Sequence, residues 1–137
     1  MPSKPRQFSP RPAKPKSEVD RQFDAQRGSA RQRGYGARWD AASAGFKRQH
    51  PLCIGCEAVG LIAATEVTDH VVPHKGDRVI FWDRKRWQPA CGRHHDVVKQ
   101  RLEAMFMRGQ IDESQLWLNS VTAIRLTLEA FNIEAQG

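Results

Sequence analysis

Cys53-Ile-Gly-Cys56 and Cys91-Gly-Arg-His94-His95 are the stretches on which the reading of this chain turns. In each of the pairs Cys53/Cys56 and Cys91/His94, two residues separate the partners, and 34 residues lie between Cys56 and Cys91. Short turns of this kind aim two donors at one ion, and two such turns supply the four ligands of tetrahedral zinc. Gly55 and Gly92 ease the turns. The spacing therefore predicts a structural Zn²⁺ held by Cys53, Cys56, Cys91 and His94, the first pair in a tight knuckle and the second at the first turn of a helix. The competing interpretation makes the cysteines small buried apolar residues. Three cysteines cannot all pair as disulfides, and two matched pairs favour metal. A bound ion would also stabilise a domain too small to rely on its core alone.

Outward from these pairs the elements follow. Upstream, Trp39, Ala42 and Phe46 recur at the spacing of one helix face, and Pro51 stops the helix. Between the pairs, 61–72 is rich in Val, Ile and Thr and reads as a strand; 73–77 is a turn; 79–82 and 87–90 read as short extended pieces. Helical character returns at Cys91 and runs through Val97, Val98, Leu102, Met105 and Phe106, with Gly109 as C-cap. A last helix starts after Asn119 or Ser120 with the apolar stripe Val121, Ile124, Leu128 and Phe131. The expected fold class is α+β.

The chain has 137 residues and a formal charge of +7. Ten of its 22 Lys/Arg, but only Glu18, Asp20 and Asp24 among its acids, lie in residues 1–39, so the whole excess belongs to the N-terminal end. Five of the eight prolines fall in the first fifteen residues. Such a composition cannot bury enough apolar surface to fold, and a basic arm of this kind seeks polyanions, above all nucleic acid. Three regions are expected: a disordered basic arm over 1–36, a zinc-containing domain over 37–108 and a helical extension over 109–137. No apolar run approaches the ~18 residues of a membrane span, nor is there a secretory signal pattern. A cytoplasmic protein with reduced thiols is expected.

A second constellation lies beyond the zinc pattern: Asp69-His70, His74 and His95. His95 is one residue past His94, so on a helix it points about 100° away and can serve another site. A divalent cation held by Asp69 and His95 would neutralise a phosphodiester and stabilise its leaving oxygen, while neutral His70 accepts a proton from water. Adjacent strand residues point to opposite faces, so Asp69 and His70 share a site only at a bend. Singly, each histidine is ordinarily structural.

The ordered series Arg33-Gly-Tyr-Gly-Ala-Arg-Trp39, His50-Pro-Leu-Cys-Ile-Gly-Cys56, Val67-Thr-Asp-His-Val-Val-Pro-His74, Phe81-Trp-Asp83 and Trp87-Gln-Pro-Ala-Cys91 through His95-Asp96 resembles the HNH endonucleases. These have a zinc-bound, treble-clef-like ββα-metal core, and the likeness is greatest to the small phage-encoded enzymes found beside DNA-packaging genes. The resemblance implies a DNA endonuclease in the host cell cytoplasm, with terminase and portal proteins as partners. Asp69 and His95 would then ligate Mg²⁺ or another divalent ion, and His70 would be the general base. It also places the structural zinc on Cys53, Cys56, Cys91 and His94. Arg86 and Arg93 are candidates for contact with DNA phosphate, and His74 either contacts phosphate or braces its loop. Two departures stand out: His94 replaces the usual fourth cysteine, and Arg86 stands where the family's loop-tying asparagine is expected. Arg has donors but no acceptor, so a catalytically weakened, zinc-stabilised DNA- or protein-binding module is the alternative.

Overall fold

Backbone pairing, rather than composition, decides how far the sheet extends. Of the β-rich stretch 61–72, only β1 (Val67–His70) is a strand, pairing antiparallel with β2 (Trp87–Ala90) in the register Val67↔Ala90 to His70↔Trp87. A strand reaches only as far as a partner's donors and acceptors. The rest of the expected strand is irregular, apart from one isolated bridge between Ala64 and Leu52. A computed structural model describes residues 34–133 of the chain. The expected disordered arm over 1–36 lies outside the described residues except for its last three, and the last four residues of the expected extension also lie outside.

The helix α1 (Ala37–Gln49) forms as expected and turns Trp39 inward, where it meets Phe81 and Trp87 in a small aromatic cluster. The expected tight knuckle is instead a five-residue helix, α2 (Ile54–Ala58), which begins directly after Cys53. The segment expected to be extended at 79–82 is also helical, as α3 (Arg78–Phe81). Its β-prone Val79-Ile80-Phe81 sequence is overridden by Asp77, whose carboxylate accepts from the N–H groups of Val79 and Ile80 at 2.9 and 3.3 Å.

After β2 the chain enters a π-helical turn, His94–Val98, that runs directly into α4 (Lys99–Met107). Gly109 follows in the left-handed region at φ 72°, as a helix-terminating glycine does. A 3₁₀ turn (Glu113–Leu116) leads to α5 (Val121–Ala130), capped by the Ser120 hydroxyl on the N–H of Ala123. The expected stripe on α5 is displaced: Val121 is exposed, and the buried residues are Thr122, Ala123 and Thr127. Small side chains there let the helix approach His94, whose ring lies against Thr127. Val71, Val98, Leu102, Leu116, Leu118 and Ala123 form the main core, so the C-terminal extension completes the domain. The fold is a mixed one, helices around a two-stranded sheet. No helix among the described residues is long and apolar enough to cross a membrane.

Candidate metal centre and adjoining cleft

Cys53, Cys56, Cys91 and His94 converge, all buried, with their ligand atoms within 4.8 Å of one another. The Nδ1 atom of His94 lies 3.5, 3.4 and 3.4 Å from the three sulfurs, and the Cys56 and Cys91 sulfurs are 3.8 Å apart. Zinc bonded at ~2.3 Å to sulfur and ~2.1 Å to nitrogen in a tetrahedron separates sulfurs by about 3.8 Å and sulfur from nitrogen by about 3.6 Å. The donor set therefore fits a structural metal such as zinc. Burial pushes the Cys53 and Cys56 thiols up; the neighbouring thiols add to the effect at Cys56, whereas hydrogen bonds from Cys91 and Cys56 partly oppose it at Cys53. Burial, aided by Arg93, lowers His94 to about 4 and keeps its imidazole neutral. Gly55 is required here, because a Cβ on it would overlap the His94 ring.

Across the π turn, the next residue serves a different place. Nε2 of His95 faces Asp69 Oδ1 at 3.8 Å, and its Nδ1 donates to Asp96 at 2.9 Å, so in the neutral ring it is the Nε2 lone pair that faces Asp69. Two donors on a cation bonded at ~2.1 Å stand between about 3.0 Å (adjacent) and about 4.2 Å (opposite) apart, so this separation fits. The other oxygen of Asp69 is already engaged. Oδ2 accepts from Gln88 Nε2 at 2.8 Å and lies 3.2 Å from the ammonium of Lys99. Lys99 is 1% exposed and also donates to the His70 carbonyl at 2.8 Å and to Glu103 at 2.9 Å. Burial raises Asp69 and the Lys99 charge opposes it. Two carboxylates around one ammonium leave a net negative charge, which suits a cation on Oδ1.

His70, at the end of β1, turns the other way. Its Nε2 donates to the Phe81 carbonyl at 3.0 Å, an oxygen that also accepts from Trp87 Nε1 at 3.0 Å. Trp39 stacks on the ring, 4.8 Å between centroids and 21° between planes. The ring is thus held with Nδ1 as its unprotonated nitrogen. Burial, the charge of His74 and that of Lys99 lower its pKa to about 4. The expected bend between Asp69 and His70 is absent: both lie within β1, and the chain bends only after them, at Val71 and Val72. Asp69, His70, His74 and His95 nonetheless all line one open cleft of about 730 Å³, wide enough to reach both strand residues.

The three candidates for phosphate contact sit apart. His74 is at the cleft wall, 2.8 Å from the Tyr35 hydroxyl, and its Nδ1 accepts from the Gly76 N–H. Arg86 points away from the cleft to Glu113 at 3.1 Å, and Arg93 donates to the Ala130 carbonyl and lies over the Phe131 ring. Neither arginine lines the cleft. Lys99, Gln88, Asp96, Thr127 and the Phe81 carbonyl were not expected at the two sites. A lysine on a helix reads as solvated, and a backbone oxygen leaves no mark in a sequence. Comparison with family models, with curated proteins and with solved structures gives no match.

Proposed function

We propose that this chain is a metal-dependent endonuclease of the HNH, ββα-metal type that hydrolyses DNA phosphodiesters. The observation that carries this reading is the shared cleft. There a histidine with its Nε2 proton committed to Phe81 faces the same space as the Asp69 Oδ1 and His95 Nε2 pair. The order β1, β2 and then the helical run from His94, two paired strands followed by a helix, supports this reading. Asp69 and His95 would hold Mg²⁺ or another divalent ion, which when bound neutralises the scissile phosphate and stabilises the departing oxygen. Nδ1 of His70 takes the proton of the attacking water. Asp96 holds the His95 ring, and Gln88 and Lys99 hold Asp69. In place of the family's asparagine, the Phe81 carbonyl orients His70, so Arg86 need not do so. The basic arm grips DNA through phosphate charge. The resemblance adds terminase and portal proteins as partners, testable by pull-down with either side tagged.

The rival reading is a zinc-stabilised binding module without cleavage, favoured by the ammonium already seated on Asp69. Nicking of supercoiled plasmid with Mg²⁺, Mn²⁺, Co²⁺ or Ni²⁺ separates the two. The wild type is expected to nick and His70→Ala to lose about 10²–10⁴-fold while retaining one zinc per chain. Full activity in His70→Ala removes the base assignment. DNA binding with no nicking under any ion supports the rival.

A further inference from the structure

His94 has two ring nitrogens, and the structure gives each a distinct neighbour. Nδ1 faces the three cysteine sulfurs, and Nε2 lies 3.1 Å from the hydroxyl of Thr127 on α5. Both residues are fully buried. A hydroxyl carries a single proton, and that of Thr127 is donated to the Ala123 carbonyl at 2.8 Å. Toward His94 the oxygen can therefore only accept. Nε2 must carry the hydrogen, and the Nδ1 lone pair is left directed at the cysteines.

The ring plane is fixed from other sides as well. Phe131 packs against it at 4.7 Å and 62°, and Gly55 leaves room for its edge. Arg93, neighbouring His94 in the chain, fastens the end of α5 by its bond to the Ala130 carbonyl and its position over Phe131. A neutral imidazole can hold its proton on either nitrogen, and only one arrangement offers Nδ1 to a metal. We propose that Thr127 is a positioning residue of the metal centre, selecting the metal-ready tautomer of His94, and that α5 is thereby a functional wall of that centre. Linkage makes the effect reciprocal: an ion on the cluster tightens the seating of α5. The inference rests on zinc occupying the four residues, and is independent of the nuclease reading.

The test uses the full chain and zinc alone, with affinity measured by chelator competition. Thr127→Val keeps the shape and removes the acceptor; the expected result is 10–100-fold weaker zinc binding, the usual effect of losing a partner behind a ligating histidine. Thr127→Ser restores the hydroxyl and is expected within about threefold of wild type. Long-range ¹H–¹⁵N spectra of the zinc-loaded wild type are expected to place the His94 proton on Nε2, a readout that survives if Thr127→Val does not fold. Wild-type affinity in Thr127→Val, or a proton on Nδ1, overturns the inference alone. A wild-type chain that takes up no zinc overturns the metal reading together with it.

Discussion

Replacing Lys99 by methionine keeps most of the apolar stem and removes an ammonium from a site that is 1% exposed. Three acceptors lose a donor: the His70 carbonyl at 2.8 Å, Glu103 at 2.9 Å and Asp69 Oδ2 at 3.2 Å. Stranding one partner of a buried ion pair costs about 3–5 kcal/mol. Gln88 still donates to Asp69 at 2.8 Å, and Glu103 is partly exposed and rehydrates. The lower end applies, about 3 kcal/mol. At a slope of about 1–3 kcal/mol per molar, the urea midpoint falls by roughly 1–3 M. Unfolding is followed by circular dichroism at pH 7 with zinc in equal excess for every variant, so that metal linkage is common to all. The companion variant Asp69→Asn removes the stranded charge. In the double variant Lys99→Met/Asp69→Asn the two losses should fall short of their sum by about 2 kcal/mol. A loss below about 1 kcal/mol for Lys99→Met, or additivity within about 0.5 kcal/mol, refutes the view that the ammonium and Asp69 hold each other.

Three further outcomes are expected. Arg86→Asn removes an exposed pair with Glu113 and changes stability by less than about 1 kcal/mol; nicking should also be nearly unchanged, since Phe81 orients His70, and a large gain in rate would return that role to position 86. Gly55→Ala drives a methyl group into the His94 ring, so elemental analysis should find zinc well below one per chain. Burial holds His70 near 4, so its acid limb in the pH–rate profile should lie near pH 4, well below the ordinary histidine value of about 6.5. Because its folded pKa is the lower one, its contribution to stability is complete above about pH 6.5 and is lost as pH falls toward 4. A limb at 6.5 would dissociate His70 from the reaction.

Local signals were legible in the sequence, and tertiary ones were not. The cysteine and histidine spacing identifies the cluster because each pair lies within one turn, and the periodicity of 37–49 and 99–107 marks their helices. By contrast, Val79-Ile80-Phe81 carries strand propensity, and a single cap at Asp77 outweighs it. On α5 the expected stripe holds only at its end, where Phe131 packs on the core and on His94, while Val121 is exposed and close approach to His94 selects Ala123 and Thr127. Lys99 was invisible for a related reason: its letter predicts solvent, and only the fold gathers Asp69, Glu103 and the His70 carbonyl around its tip. Asp69 and His95 could be paired in advance from the angle between neighbouring helix residues, although the Asp96 bond that aims the imidazole is a short-range contact that spacing alone does not weigh.

The π turn at 94–98 sets the phase of everything downstream. Such a turn amounts to one residue inserted into an α-helix. Winding the same residues as regular α-helix, with none removed, would swing α4 by roughly 90° about its axis. Leu102 would leave the core and Lys99 would be carried away from Asp69, while Cys91 and His94 could keep their grip upstream. One extra peptide unit is thus what lets the buried cysteine–histidine cluster and a charged cleft floor share the same length of chain.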